Sequence, residues 1–204
     1  MKVENIVKQD QIVQAALRRF AHFGITKTNL TEVAEDLIIS KQMLSYYFHD
    51  KKALVSAVIE KLSDDYFDML KSQMETSHTV EEGLQKLTDV KAIFFEKYFL
   101  LALDAEQIEI VRNEQCRSWR KIMTDKEAGL ITKLFDSGVQ SEELKPLDTG
   151  KTAELLLDTL FAFTRSVKNK GGIPDKEAFD NILKKQREVI SLFYQGLKAE
   201  SWVN

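Results

Sequence analysis

The fold of this chain is decided by residues 28–54, which read TNLTEVAEDLIISKQMLSYYFHDKKAL. The stretch contains two short helical patterns separated by a tight break, followed by the start of a third helix. The first pattern closes on Val33 and Ala34, and the second carries Leu44 and Phe48. Two helices that cross at a steep angle need a small side chain at their contact, which Ala34 supplies. The pattern therefore predicts a helix-turn-helix.

The second helix of this motif is expected to leave one face exposed. The residues predicted on that face are Lys41, Gln42, Met43, Ser45 and Tyr46. Polar and basic side chains at such a position suit base edges and phosphates in a DNA major groove. The stretch therefore favours a DNA-contacting helix.

The composition is that of an ordinary globular protein with long helices. Of 204 residues, 44% are hydrophobic and 30% are charged, and only two prolines and eight glycines interrupt the chain. These values predict an all-α fold. The single cysteine, Cys116, excludes an intramolecular disulfide and is expected to be a small buried side chain. Because no apolar run has the length of a signal peptide or membrane span, we expect a cytoplasmic protein.

The charge distribution excludes a strongly basic molecule, since the formal net charge is −3. Residues 1–54 carry eight Lys and Arg residues against six Asp and Glu residues, which leaves this end at +2 and the rest of the chain at −5. This small asymmetry points to a DNA-facing N-terminal end.

Apolar periodicity predicts a series of helices along the chain. Capping patterns at Asn29 with Glu32, at Ser40 and at Asp50 set three of the starts, and Gly24 is expected to end the first helix. Residues 1–8 are expected to be frayed or partly helical. Up to residue 79, the predicted elements are helices over about 10–23, from about 30, from 41 and over 51–74, followed by a break at 76–79. Beyond it, helices are predicted over about 80–103 and 115–139, and the first of these is interrupted near 104 and resumes through 111. A loop at 141–148, a helix over 149–168, a turn at 170–174 and a helix over about 175–197 follow.

The last two predicted helices carry more apolar residues than one buried face requires. In residues 149–168 the apolar positions span too wide an arc for a surface helix, so we expect burial on two sides. The last helix repeats an apolar seam suited to antiparallel pairing with its neighbour. These patterns are consistent with a four-helix packing across a two-fold axis.

An ordered set of residues runs through 12–54. It comprises Ile12-x-x-Ala15-Ala16-x-x-x-Phe20, Gly24, Thr28, Val33-Ala34, Ile39-Ser40, Leu44, Tyr46-x-Phe48 and Lys51-x-x-Leu54. This set resembles the TetR family of bacterial transcriptional regulators. No single element is specific, but the order over some forty residues is, whereas the last 150 residues resemble the family only in architecture.

The resemblance implies a helix-turn-helix DNA-binding domain over residues 1–50 and a larger helical ligand-binding and dimerisation domain over 51–204. It also implies a homodimer formed through the last two helices, in which a small-molecule effector weakens binding to double-stranded DNA. Carried over residue by residue, it implies base contacts from Lys41, Gln42, Met43 and Ser45, and phosphate contacts from Thr28, Tyr46, Tyr47 and Lys51.

The chain departs from the family pattern at three places. Ile38 stands where the family has its turn glycine, and a β-branched residue at positive φ is strained. Either this turn is rebuilt or Ile38 adopts an unusual conformation. The glycine-threonine pair common early in the reading helix is Gln42-Met43, and the first tyrosine of its end motif is Ser45.

An apolar excess in the middle helices suggests where an effector would bind. The candidate pocket residues are Phe95, Tyr98, Trp119, Met123, Phe161 and Arg165, although the aromatic ones are in the first place suited to a core. Arg165 would pair with a ligand anion or with a nearby acid such as Asp158. Neither a metal nor a cofactor is expected, because the three histidines are far apart and Glu75-x-x-His78 is only half of a di-iron motif.

Two functions follow from these patterns. The first is a ligand-responsive, DNA-binding transcriptional regulator, expected to be a repressor, that acts as a homodimer on a palindromic operator. The alternative is a helical dimer that binds a small molecule or protein partner and whose helix-turn-helix no longer reads DNA. An enzyme is not expected.

Overall fold

The computed structural model describes the backbone of residues 2–107, 114–168 and 175–199, and the side chains of residues 5–98, 121–163 and 175–199. Over these residues the chain forms eight α-helices and no β-strand, which confirms the predicted all-α fold. In chain order they are α1 (Lys2–Phe23), α2 (Leu30–Asp36), α3 (Lys41–Tyr47), α4 (Lys51–Glu75), α5 (Val80–Gln107), α6 (Glu114–Gln140), α7 (Thr149–Lys168) and α8 (Lys176–Leu197).

The helix ends predicted from local sequence are confirmed. Gly24 adopts φ 85° and its N–H donates to the Phe20 carbonyl at 2.9 Å, which ends α1. The Ser40 hydroxyl accepts from the Met43 N–H at 3.1 Å, and the Asp50 carboxylate accepts from the Ala53 N–H at 2.7 Å. Each oxygen thereby satisfies a backbone N–H that has no partner within its helix.

Two helices differ from the prediction. Helix α1 begins at Lys2 rather than near residue 10, and its early turn is tied to α3 by a hydrogen bond from the Tyr47 hydroxyl to Asn5 Oδ1 at 3.1 Å. Helix α5 continues through Asp104, because the good helix formers around that residue outweigh one aspartate. The non-helical residue in α5 is instead Tyr98, at φ −122° and ψ 22°. The predicted continuation to residue 111 and the turn at 170–174 lie outside the described residues.

The chain forms two compact units, one of residues 1–65 and 94–118 and the other of residues 66–93 and 119–204. The boundaries fall inside α4, α5 and α6. The division into a DNA-binding domain over 1–50 and a ligand-binding and dimerisation domain over 51–204 stays a prediction about function.

The first unit is built on a core shared by its helices. Its largest fully buried side chains include Phe20 of α1, Leu44 of α3 and Leu54 of α4. Ala34 of α2 is 2% exposed, as expected for the small residue at the helix crossing. Other members of this core are Ile12, Ala16, Val33, Phe48, Val55, Val58 and Tyr98.

The second unit is a bundle whose last two helices pack on each other. The buried Gln186 side chain of α8 donates to the Leu160 carbonyl of α7 at 2.8 Å. The end of α8 is held by the loop that follows α6, through an isolated bridge between Leu144 and Lys198. Buried side chains of this unit include Leu84, Leu87, Ile131, Phe135, Leu156, Leu157, Leu160, Ile182 and Ile190.

Within a single chain, α7 is buried on one side rather than two. Leu156, Leu157 and Leu160 are at most 1% exposed, but Leu155 is 59% exposed. On α8, Leu192 is 74% exposed. A single chain therefore leaves part of the apolar surface of α7 exposed to solvent.

No helix in the described part of the chain combines the length and the apolarity needed to cross a membrane.

Candidate DNA-contacting surface

Helix α2 begins at a complete capping box. Asn29 Oδ1 accepts from the Glu32 N–H at 3.0 Å, and Glu32 Oε2 accepts from the Asn29 N–H at 2.8 Å. Just before it, Thr28 is 2% exposed and its hydroxyl donates to the Gly24 carbonyl at 2.9 Å. The resemblance implied a phosphate contact from Thr28. In this structure the hydroxyl instead donates to the turn between α1 and α2, and the phosphate contact of Thr28 stays a prediction.

The turn between α2 and α3 keeps the backbone form that normally uses glycine. The Ile39 N–H donates to the Ala34 carbonyl at 3.0 Å, and the Ile38 N–H donates to the Glu35 carbonyl at 3.0 Å. This pair of hydrogen bonds is a Schellman motif, in which the residue after the helix is left-handed. Ile38 has φ 54° and is 96% exposed. The turn is therefore not rebuilt, and Ile38 adopts the strained conformation.

Helix α3 turns a defined face away from the core. Leu44 is fully buried, and a rotation of about 100° per residue puts Gln42 and Tyr46 about 160° from it on either side. Met43 and Ser45 flank that outward face. Lys41, Gln42, Met43 and Tyr46 are exposed, whereas Ser45 is half-buried. Four of the five residues predicted on this face are thus accessible.

The two tyrosines of α3 differ in their surroundings. Tyr46 is 75% exposed, and its ring meets that of Tyr47 edge-to-face with centroids 5.2 Å apart. Tyr47 is half-buried, and its hydroxyl donates to Asn5. Tyr47 therefore has its proton engaged within the protein and supports the ring of Tyr46, which is free to meet solvent or DNA. Phe48 is 4% exposed, as predicted for a core aromatic residue.

Basic side chains lie next to this face. Lys41 begins α3 and is exposed, and Lys51 begins α4 and is half-buried. Lys51 Nζ donates to the Thr26 carbonyl at 3.4 Å, which draws the start of α4 toward the α1–α2 turn. Lys27 and Lys52 are exposed. A cation at a helix start is opposed by the helix dipole, so Lys41, Lys51 and Lys52 suit contact with phosphate.

Two of the three acids of α2 lie next to a cation. Asp36 Oδ2 pairs with Arg19 Nε of α1 at 3.1 Å, and Glu32 lies 4.0 Å from the same guanidinium. Arg19 also lies over the Phe23 ring, 5.3 Å from its centroid. Arg19 therefore offsets part of the negative charge of α2, while the third acid, Glu35, is exposed.

The predicted effector-pocket residues are distributed over both units. Half-buried Phe95 and buried Tyr98 belong to the first unit, where the Tyr98 ring lies 5.5 Å from that of Phe94. Half-buried Met123 and Phe161 belong to the second. The side chains of Trp119, Arg165 and Cys116 lie outside the described residues.

The second unit contains a buried polar cluster that the sequence patterns do not predict. The Tyr66 hydroxyl donates to Glu127 Oε1 at 2.5 Å, and Lys91 Nζ lies 3.4 Å from Glu127 Oε2 and 5.3 Å from the Phe161 ring centroid. Burial and the neighbouring Glu127 charge raise the pKa of Tyr66 well above its ordinary value of 10.0. One sequence feature points to this cluster. Glu127 lies four residues before Ile131 and eight before Phe135, so this acid falls on the same helix face as two buried apolar residues.

No candidate metal site stands out in the described part of the chain. There, His, Cys, Asp and Glu form no group of three or more suited to hold a metal ion. Helix α4 ends at Glu75, so the half motif Glu75-x-x-His78 is not carried on one helix.

Comparison with known proteins supports the same reading of residues 12–58, which match the profile of bacterial regulatory proteins, tetR family. The transcriptional regulator RutR of Escherichia coli O157:H7 is 40% identical over 144 residues, which are 69% of this chain and 66% of RutR, so the match spans about two thirds of that protein. RutR of E. coli K12 is 27% identical over 144 residues, with the same coverage. A solved transcriptional regulator from Cytophaga hutchinsonii is 26% identical, with a TM-score of 0.81 over 94% of this chain and 99% of that one.

Proposed function

Because this chain belongs to the TetR family of bacterial regulatory proteins, we propose that it is a DNA-binding transcriptional regulator of the bacterial cytoplasm. In this proposal it acts as a homodimer on a palindromic operator and represses until a small-molecule effector binds. The observation that carries the proposal is the outward face of α3, where Gln42, Met43 and Tyr46 are exposed beside Lys41.

The exposed face suggests how contacts are divided. Lys41, Gln42, Met43 and Ser45 would face the bases, since the start of a reading helix enters the major groove. Phosphates would be contacted by the Tyr46 hydroxyl and by the ammonium groups of Lys51, Lys52 and Lys27. Such contacts position the protein on DNA without reading its sequence. Affinity would then fall steeply as salt rises, because each phosphate contact releases counterions.

The uncovered apolar residues of α7 and α8 support a homodimer through these helices. Leu155 is followed on its side of α7 by Thr159 and the exposed Ala162, and Leu192 of α8 is followed by the exposed Gly196. Small residues beside exposed leucines let another helix approach closely. A two-fold dimer that pairs α7 and α8 with their copies would bury these leucines and complete the four-helix packing.

The effector is proposed to bind in the helical second unit. The buried cluster of Tyr66, Lys91 and Glu127 supports this, because ionisable groups are costly to bury and perturbed ones cluster at functional sites. Half-buried Phe161 lies beside Lys91 and supplies apolar surface at the same place. An effector that disturbs this cluster would shift the helices it joins, α4, α5, α6 and α7.

The alternative of a dimer that no longer reads DNA is less well supported. Two departures from the family pattern motivate it, Ile38 and the altered reading helix. The turn keeps its Schellman hydrogen bonds and left-handed conformation with isoleucine in place. It would gain if acids such as Glu35 and Asp36 covered the reading face; Asp36 is paired with Arg19, and Glu35 is exposed.

The test is affinity selection of genomic DNA fragments by the full chain, first at low salt and then at about 0.15 M. We expect one or a few palindromic sites to survive the higher salt. The matched control is the triple variant Gln42→Ala, Met43→Ala, Tyr46→Ala, which alters only exposed side chains and should recover none. Recovery of only sequence-blind fragments by the natural protein, or the same sites by the control, would contradict the proposal.

A further inference from the structure

We propose that each reading helix recognises an A·T-containing step, with Gln42 bound to an adenine and Met43 packed on a thymine methyl group. This inference rests on the proposed DNA-binding function and adds the base chemistry of the operator. It comes from the two residues at which this chain departs from the glycine-threonine pair of the family pattern.

The geometry gives both side chains access to a groove. Leu44 and Phe48 anchor α3 in the core, so the opposite side of the helix carries Gln42. Met43 follows about 100° around the axis and is 42% exposed. Because the two residues are adjacent in sequence, their side chains reach neighbouring points of one DNA edge.

The chemistry of Gln42 favours adenine. Its amide carries one acceptor and two donors, and across the described residues this side chain has no hydrogen-bond partner that would hold it back. Adenine presents the matching pair in the major groove, an N7 acceptor beside an N6 donor. Guanine presents acceptors at both positions, so the amide oxygen would face O6 without a proton between them.

The chemistry of Met43 favours thymine. The side chain has no strong hydrogen-bonding group, so it gains little from base edges that offer only donors and acceptors. The 5-methyl group of thymine is the apolar group of the major groove. An unbranched, polarisable thioether can adapt its shape to cover that methyl group and remove both surfaces from water.

The experiment starts from a site recovered in the genomic selection and replaces single atoms of the DNA. Each thymine in a half-site is changed to deoxyuridine, which removes only the methyl group, and each adenine to 7-deaza-adenine, which removes only the N7 acceptor. Equilibrium dissociation constants are then measured by fluorescence anisotropy for the natural chain and for Met43→Ala and Gln42→Ala. Because both side chains are exposed, the variants are expected to keep the helical circular dichroism of the natural chain.

We expect one deoxyuridine position to weaken binding of the natural chain about fourfold, the effect of one buried methyl group. One 7-deaza-adenine position should weaken it about tenfold. Met43→Ala should be insensitive to deoxyuridine but remain sensitive to 7-deaza-adenine. Gln42→Ala should be insensitive to 7-deaza-adenine but remain sensitive to deoxyuridine. A specific site that tolerates both replacements, or variants that keep both sensitivities, would overturn this inference and leave the regulator function standing. Failure to recover any specific site would overturn both.

Discussion

Replacing Ile38 by glycine should stabilise the protein. Ile38 occupies the left-handed position of the α2–α3 turn at φ 54°. For a residue with a Cβ atom this conformation costs about 1–2 kcal/mol, whereas glycine adopts it freely. The Ile38 side chain is 96% exposed, so its removal sacrifices almost no buried apolar surface. The strain therefore has no compensating contact within the chain.

The stabilisation expected from Ile38→Gly is reduced by the greater conformational freedom of glycine in the unfolded state. Glycine has more conformations to lose on folding, which offsets about 0.4–1 kcal/mol of the relief. The net increase in the free energy of unfolding of Ile38→Gly should be about 0.5–1 kcal/mol. For a chain of this size, that corresponds to a rise in Tm of about 1–4 °C.

The assay is urea unfolding followed by circular dichroism at one fixed protein concentration, because the proposed dimer would make stability depend on concentration. Ile38→Ala is the matched control, since it removes the branched side chain but keeps a Cβ atom at positive φ. It should gain less than Ile38→Gly. An Ile38→Gly variant that is no more stable than Ile38→Ala would refute the argument that backbone conformation, rather than the side chain, is the source of strain.

The other predictions concern the dimer, the buried cluster and the phosphate contacts. The double variant Leu155→Glu, Leu192→Glu should raise the dimer dissociation constant at least about a hundredfold, because each leucine occurs twice in a two-fold interface, and unchanged sedimentation equilibrium would contradict this. Tyr66→Phe should lower the free energy of unfolding by about 1.5–3 kcal/mol, since it leaves Oε1 of the buried Glu127 carboxylate without its donor. Because the pKa of Tyr66 is raised in the folded state, its contribution to the free energy of unfolding is full below pH 10 and is lost as pH rises through the folded-state pKa. Urea unfolding between pH 8 and 11 should therefore show a smaller loss of stability at alkaline pH in Tyr66→Phe than in the natural chain. Equal losses would contradict this prediction. Lys51→Gln should weaken operator and non-specific DNA alike and reduce the salt slope of log Kobs by about one, whereas a loss confined to the operator would assign Lys51 to base reading.

Local chemistry made much of this fold predictable. The capping residues Asn29, Ser40 and Asp50 act on backbone groups within three positions of themselves, so a short stretch of sequence contains both partners. The conformation of Ile38 followed in the same way, as one of two outcomes of placing isoleucine at a turn that needs positive φ.

Contacts between distant residues were not predictable from one sequence. Tyr66, Lys91 and Glu127 come from three helices, and no periodicity links one to another. Thr28 has the residue type of a phosphate contact, but its burial depends on how the α1–α2 turn packs. For the same reason the single sequence indicated that α7 has too many apolar residues without showing that Leu155 is the one left uncovered.

The most direct test of the central claim is the ratio of two dissociation constants at about 0.15 M salt, one for a palindrome recovered by genomic selection and one for a scrambled duplex of the same composition. If α3 reads bases through its outward face, the natural chain should bind the palindrome at least about a thousandfold more tightly. The Gln42→Ala, Met43→Ala, Tyr46→Ala variant should reduce this ratio to near one. A ratio near one for the natural chain would contradict the account, as would a variant that keeps the natural ratio.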